Sequence, residues 1–110
     1  MSQVQKNKSV LKLLKKHGDD LTNVREVSHW IYFKTFDDLA DYKSIVAKKG
    51  FKIGDIHHDD NHTDVYPFSL IIYKDDNVEL DNINEVTIEL SRLAEEFNGF
   101  YDGWETPIVK

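Results

Sequence analysis

Six segments of this chain switch between two hydrophobic periods, and their order constrains the fold more than any single motif does. "REVSHWIYFK" (25–34) alternates, with Val27, His29, Ile31 and Phe33 on one side and Ser28, Trp30 and Tyr32 on the other. That is the period of a strand with one buried face. Thr35 then stands where a helix N-cap belongs, with Asp37 and Asp38 in a first turn whose dipole favours acids. Leu39, Tyr42 and Val46 form one helical stripe, and Gly50 stops it. "FKIGDIH" (51–57) sets Phe51 and Ile53 against Lys52 and Gly54, with Ile56 out of phase. "YPFSLIIYK" (66–74) places Phe68, Leu70 and Ile72 on one face and Ser69, Ile71 and Tyr73 on the other. Over 81–98, Ile83, Val86, Leu90, Leu93, Ala94 and Phe97 keep the helical period until Gly99. "FYDGWE" (100–105) is the last strand.

Two βαβ halves joined by right-handed crossovers give a four-stranded antiparallel sheet of order 4-1-3-2, with both helices on one face. The expected class is therefore α+β, a ferredoxin-like β-α-β-β-α-β sandwich. Residues 3–17 predict an extra N-terminal helix, with Val10, Leu11, Leu13 and Leu14 as its apolar patch and Gly18 as its stop. The expected organisation is a basic helix over 1–20 and a ferredoxin-like unit over 25–106, forming a single domain. A chain of 110 residues, 40% hydrophobic, has material for one core.

Charge is divided along the chain. Residues 1–17 hold five lysines and no acid, so residues 18–110 carry nine basic groups against 20 acidic ones, a net −11. An acidic body repels phosphate backbones, which disfavours direct nucleic-acid binding. The basic helix is then a solvated face, or it lies on the acidic body or on an acidic partner. Without cysteine there are no disulfides and no thiolate metal ligands. No stretch has signal-peptide character or the ~20 apolar residues of a membrane span, so the expected setting is cytoplasmic, away from membranes.

Four constellations are candidates for chemistry. His57, His58, Asp59, Asp60, His62 and Asp64 are metal-ligand types, which would make a metal-dependent enzyme. They lack the helical spacing of a catalytic zinc motif, so a polar hairpin loop and no metal or other cofactor is the expectation. His29 lies on the apolar face of its strand without an identifiable Ser or Cys nucleophile, which favours a structural histidine with Asp102 as its partner. Gly103 beside Trp104 predicts a bulge or a positive φ that turns Trp104 toward the sheet or the helices. Trp30, Tyr32, Ile71 and Tyr73 emerge on the sheet face opposite the helices. Such a face is a protein-binding surface or, as the alternative, an RNA-stacking surface. The first is preferred because basic residues are sparse there. The N-terminal helix, a second copy in a homodimer, or a protein partner are its candidate covers.

"VSHWIYF", a helix ending "KKGF", and "FYDGWET" after an amphipathic helix together resemble the regulator of ribonuclease E activity B family, from about Arg25 to Thr106. Tyr101-Asp102-Gly103-Trp104 is the most specific piece of the resemblance. It implies a ferredoxin-like fold and a non-enzymatic protein that binds ribonuclease E, or an RNA-degradation complex, and restrains RNA turnover. Members that regulate the enzyme tend to carry a long acidic tail beyond the "DGW" motif, whereas this sequence ends at Lys110. The fold therefore carries over more directly than the target.

Overall fold

The computed structural model describes residues 2–59 and 65–110. Strand β1 (Arg25–Phe33) buries every odd residue, and Ile31 and Phe33 are completely inaccessible. It pairs antiparallel on one side with β3 (Phe68–Asp76) and on the other with β4 (Gly99–Glu105). β2 (Lys52–His58) pairs with β3, which completes the order β2-β3-β1-β4. This is the expected arrangement, an α+β ferredoxin-like sheet with an N-terminal helix.

Two crossover helices cover one face. α2 (Phe36–Lys48) starts at Thr35, whose Oγ1 accepts from the Asp38 N–H at 3.1 Å, and ends before Gly50 at φ +96°. α3 (Leu80–Glu96) buries Ile83, Thr87, Leu90 and Ala94. Leu39, Tyr42 and Val46 of α2, Ile31 and Phe33 of β1, Leu70 and Ile72 of β3 and Leu90 of α3 form the main core. Fully burying an aliphatic or aromatic side chain contributes roughly 1.5–3 kcal/mol, so this cluster accounts for much of the fold's cohesion.

α1 (Gln3–Lys16) opens on a reciprocal cap: Ser2 Oγ accepts from the Gln5 N–H, and Gln5 Oε1 accepts from the Ser2 N–H, each at 3.1 Å. It packs along α3, not over the free face of the sheet. Leu11 and Leu14 join Leu21, Val27, Val78 and Ile83 in a second cluster, whereas Leu13 is 56% exposed. All five lysines of the helix face water and make no ion pair among the described residues.

Both edge strands are bulged. Ile53 and Ile56 oppose Ile72 and Leu70, so one extra residue of β2 restores the phase that Ile56 lacks in the sequence. In β4, Gly103 pairs with Trp30 and Tyr101 with Ile31, which leaves Asp102 as the extra residue. Bulges twist an edge and blunt its tendency to add further strands.

Candidate functional site

The bulge at Asp102 decides which way Trp104 faces. Tyr101 opposes Ile31 and Trp104 opposes His29, both on the helix side, although three positions separate them in sequence. A regular strand would put them on opposite faces. Trp104 packs against both core clusters, and its Nε1–H donates to Asn7 Oδ1 at 2.7 Å. Gly103 is not held there by steric need: its φ is not positive, and a Cβ would meet nothing within 4 Å. The expected bulge is present, but the requirement for glycine lies at Gly99. There a Cβ would fall 2.5 Å from the Tyr32 carbonyl oxygen and 2.6 Å from the Phe33 ring.

His29 is 1% exposed, and its Nδ1 lies 2.7 Å from the Tyr101 hydroxyl. Its partner is therefore Tyr101 and not Asp102, which the bulge leaves exposed at the edge. Burial lowers the imidazole pKa to about 4 and pushes both the Tyr101 and the Tyr42 hydroxyl upward. The histidine is neutral, enclosed and hydrogen-bonded, which is a structural setting.

Two further polar assemblies close the molecule. Asn7, fully buried, donates from Nδ2 to Asn84 Oδ1 and Thr87 Oγ1, both at 2.9 Å, and accepts from Gln3 Nε2 as well as from Trp104. It ties α1 to α3 and β4. The signal in the sequence was a polar residue in the 7, 11, 14 stripe that Leu11 and Leu14 otherwise fill. Asp19 and Arg25 form a buried bidentate pair with both contacts at 2.9 Å. The N–H groups of Leu21 and Val109 also donate to the carboxylate. The guanidinium holds the Asp19 carboxyl far below the usual carboxylate range.

On the free face, Trp30, Tyr32, Ile71 and Tyr73 are all half-buried neighbours: Trp30 opposes Ile71, and Tyr73 sits one row along, opposite Ser28. Phe100, which the sequence reading did not single out, extends the row. It stacks on Tyr32 at 5.3 Å and meets Tyr66 edge-on at 4.9 Å. None of the helices overlies this face. A depression of about 340 Å³ opens beside the row, lined by Trp30, Tyr32, Asp102, Gly103, Trp104 and Glu105.

The histidine-rich loop is only partly in view. His57 opposes Ser69, while His58 stacks on Phe68 at 4.3 Å. Asp60, His62 and Asp64 lie outside the described residues, and among the described residues no three His, Asp or Glu side chains converge on a metal position. No described helix is long and apolar enough to cross a membrane.

The sequence profile of the regulator of ribonuclease activity B family matches residues 5–106, from the first turns of α1 past the end of β4. The chain belongs to this family. It is 26% identical over 107 residues to a regulator of ribonuclease activity B from Pseudoalteromonas atlantica, with 94% of this chain and 89% of that one covered. It is 25% identical over 104 residues to the protein of that name from Xenorhabdus nematophila, covering 94% and 74%. The stretch that the family profile matches thus takes in both core clusters, the bulge, and the Asn7 assembly apart from Gln3.

Proposed function

We propose that the chain is a non-catalytic regulator that binds a ribonuclease, or the RNA-degrading assembly around it, through the free face of its sheet and so modulates RNA turnover. The observation that carries this reading is the row of Trp30, Tyr32, Ile71 and Tyr73 on a face that none of the helices overlies. Apolar area left in water costs ~25 cal/mol per Å², and central Trp and Tyr residues dominate binding where a partner covers them. Family membership supplies the class of partner. The enclosure of His29 supports a non-catalytic role, since its imidazole has no route to a substrate. The acidic flank of the face, with Glu26, Asp75, Asp102 and Glu105 exposed, favours protein over RNA. The cytoplasm is the compartment this role calls for.

The test uses the full chain and purified ribonuclease E from the source organism. Trp30→Ala should weaken binding about 30-fold, equivalent to roughly 2 kcal/mol, and relieve inhibition of RNA cleavage, while circular dichroism stays native. A native variant that binds and inhibits normally would remove this face from the reading and leave α1 as the next surface to examine. Single-stranded RNA bound at Trp30 in place of the enzyme would replace the protein-binding reading with the RNA one.

A further inference from the structure

We infer that the depression over Gly103 is a seat for an arginine side chain, presented by an extended segment of the protein partner. This rests on the free sheet face being the binding surface and names the chemistry of what lands there.

Three independent features meet at this spot. Gly103 lies directly opposite Trp30, so the indole has no β4 side chain across from it, whereas Tyr32 in the next row is stacked on Phe100. Among the described residues Trp30 takes part in no ring contact at all. The bulge then brings two carboxylates to the rim. Asp102 is the extra residue, Glu105 follows two positions after Gly103, and both are exposed and line the depression. Neither is ion-paired among the described residues. Finally, the chain as a whole carries a net −6, and Glu26 and Asp75, exposed on the same side of the sheet, add to the two carboxylates in attracting a cation.

Guanidinium matches that combination better than ammonium. It is planar, stacks on an indole face and donates in a fork to carboxylates. A lysine would gain the charge but neither the stacking nor the fork. The segment that carries the arginine has to lie flat across β1 and β4, since the bulge blunts β4 as an edge for adding another strand.

The experiment titrates the isotope-labelled full chain with acetylated, amidated hexa-arginine and, separately, hexa-lysine. The arginine peptide should shift the Trp30 indole N–H and the amides of residues 102–105, and bind at least tenfold tighter than the lysine peptide. Gly103→Leu fills the depression where a Cβ meets nothing, and should lower the affinity about tenfold with circular dichroism unchanged. Asp102→Asn with Glu105→Gln should do the same, whereas Glu95→Gln with Glu96→Gln, at the far end of α3, should have no effect. Equal binding of both peptides, or undiminished binding to Gly103→Leu and to the carboxylate variant, would overturn the seat. If Trp30→Ala loses ribonuclease E while those variants keep it, the face remains the binding surface and the arginine seat falls. If arginine binds as described but Trp30→Ala leaves ribonuclease E binding intact, the seat stands and the ribonuclease reading of the face falls.

Discussion

Across the seam between β1 and β4, the Tyr101 hydroxyl lies 2.7 Å from Nδ1 of His29, inside the core. The imidazole pKa, 6.5 in a free chain, is lowered by burial to about 4. The unfolded chain therefore takes up a proton near pH 6.5 that the folded chain refuses until about pH 4. Stability from this site is complete above pH 6.5 and is lost as pH falls toward 4, by at most about 3 kcal/mol. Asp19 acts in a lower window, because a carboxyl whose pKa is depressed in the fold withdraws stability only as pH drops through 3.8 and below. Urea unfolding at pH 7, 5.5 and 4.5 should show the upper loss. His29→Leu with Tyr101→Phe, which removes both polar partners, should flatten it. The same slope in the double variant would assign the proton to another group.

Asn7 should behave as a keystone. Its side chain is fully buried and takes part in hydrogen bonds to Gln3, Asn84, Thr87 and Trp104. Asn7→Ala removes the partner of the half-buried Trp104 N–H and of the buried Thr87 hydroxyl, and each such lost partner costs roughly 1–3 kcal/mol. A loss of about 3 kcal/mol in urea unfolding is expected. A double-mutant cycle with Trp104→Phe should return a coupling of about 1 kcal/mol or more. Additive effects would mean that the 2.7 Å contact contributes nothing.

What the sequence made legible, and what it left out, divides along physical lines. The faces of β1 and β3 follow from side-chain alternation alone, and burial of Val27, Ile31, Phe33, Leu70 and Ile72 agrees with it. The helices announced themselves by period and by Thr35, Gly18 and Gly50. The partner of His29 was not readable, because one inserted residue changes which β4 side chain faces inward. Counting from Trp104 without the register turns Asp102 toward His29; the bulge puts Tyr101 there. The Asn7 assembly joins residues 77 to 97 positions apart, beyond the reach of any local pattern.

Glycine substitutions should separate the two glycines of β4. At Gly99 a Cβ would collide with the backbone oxygen of Tyr32 and the Phe33 ring, and a neighbour must shift. Gly99→Ala is expected to cost about 1–3 kcal/mol, as overpacking does. At Gly103 the space is open, and alanine reduces the freedom of the unfolded chain, so Gly103→Ala should be neutral or stabilise by up to about 1 kcal/mol. Melting curves of the two variants check this. A more damaging change at 103 than at 99 would place the constraint in the bulge itself.

Deleting Asp102 should remove the bulge and leave Trp104 facing inward. The residue is exposed and lies opposite no β1 residue, so its side chain has little packing to lose. Without it, Tyr101, Gly103 and Trp104 follow one another opposite Ile31, Trp30 and His29, which is the register of a regular antiparallel ladder. Tyr101 and Trp104 then share the helix face by plain alternation. The contacts of Trp104 with Asn7 and of Tyr101 with His29 are both kept. What goes is the local twist that blunts the edge. The deletion should therefore cost no more than about 2 kcal/mol, and Asp102→Asn or Asp102→Ala, which keep the bulge, less than about 1 kcal/mol. Trp104 emission, recorded with Trp30→Phe to isolate it, should stay put in all three variants. A shift to longer wavelength in the deletion, with a loss of about 3 kcal/mol or more, would show that the bulge does more than absorb one residue and that its own backbone geometry sets the direction of Trp104.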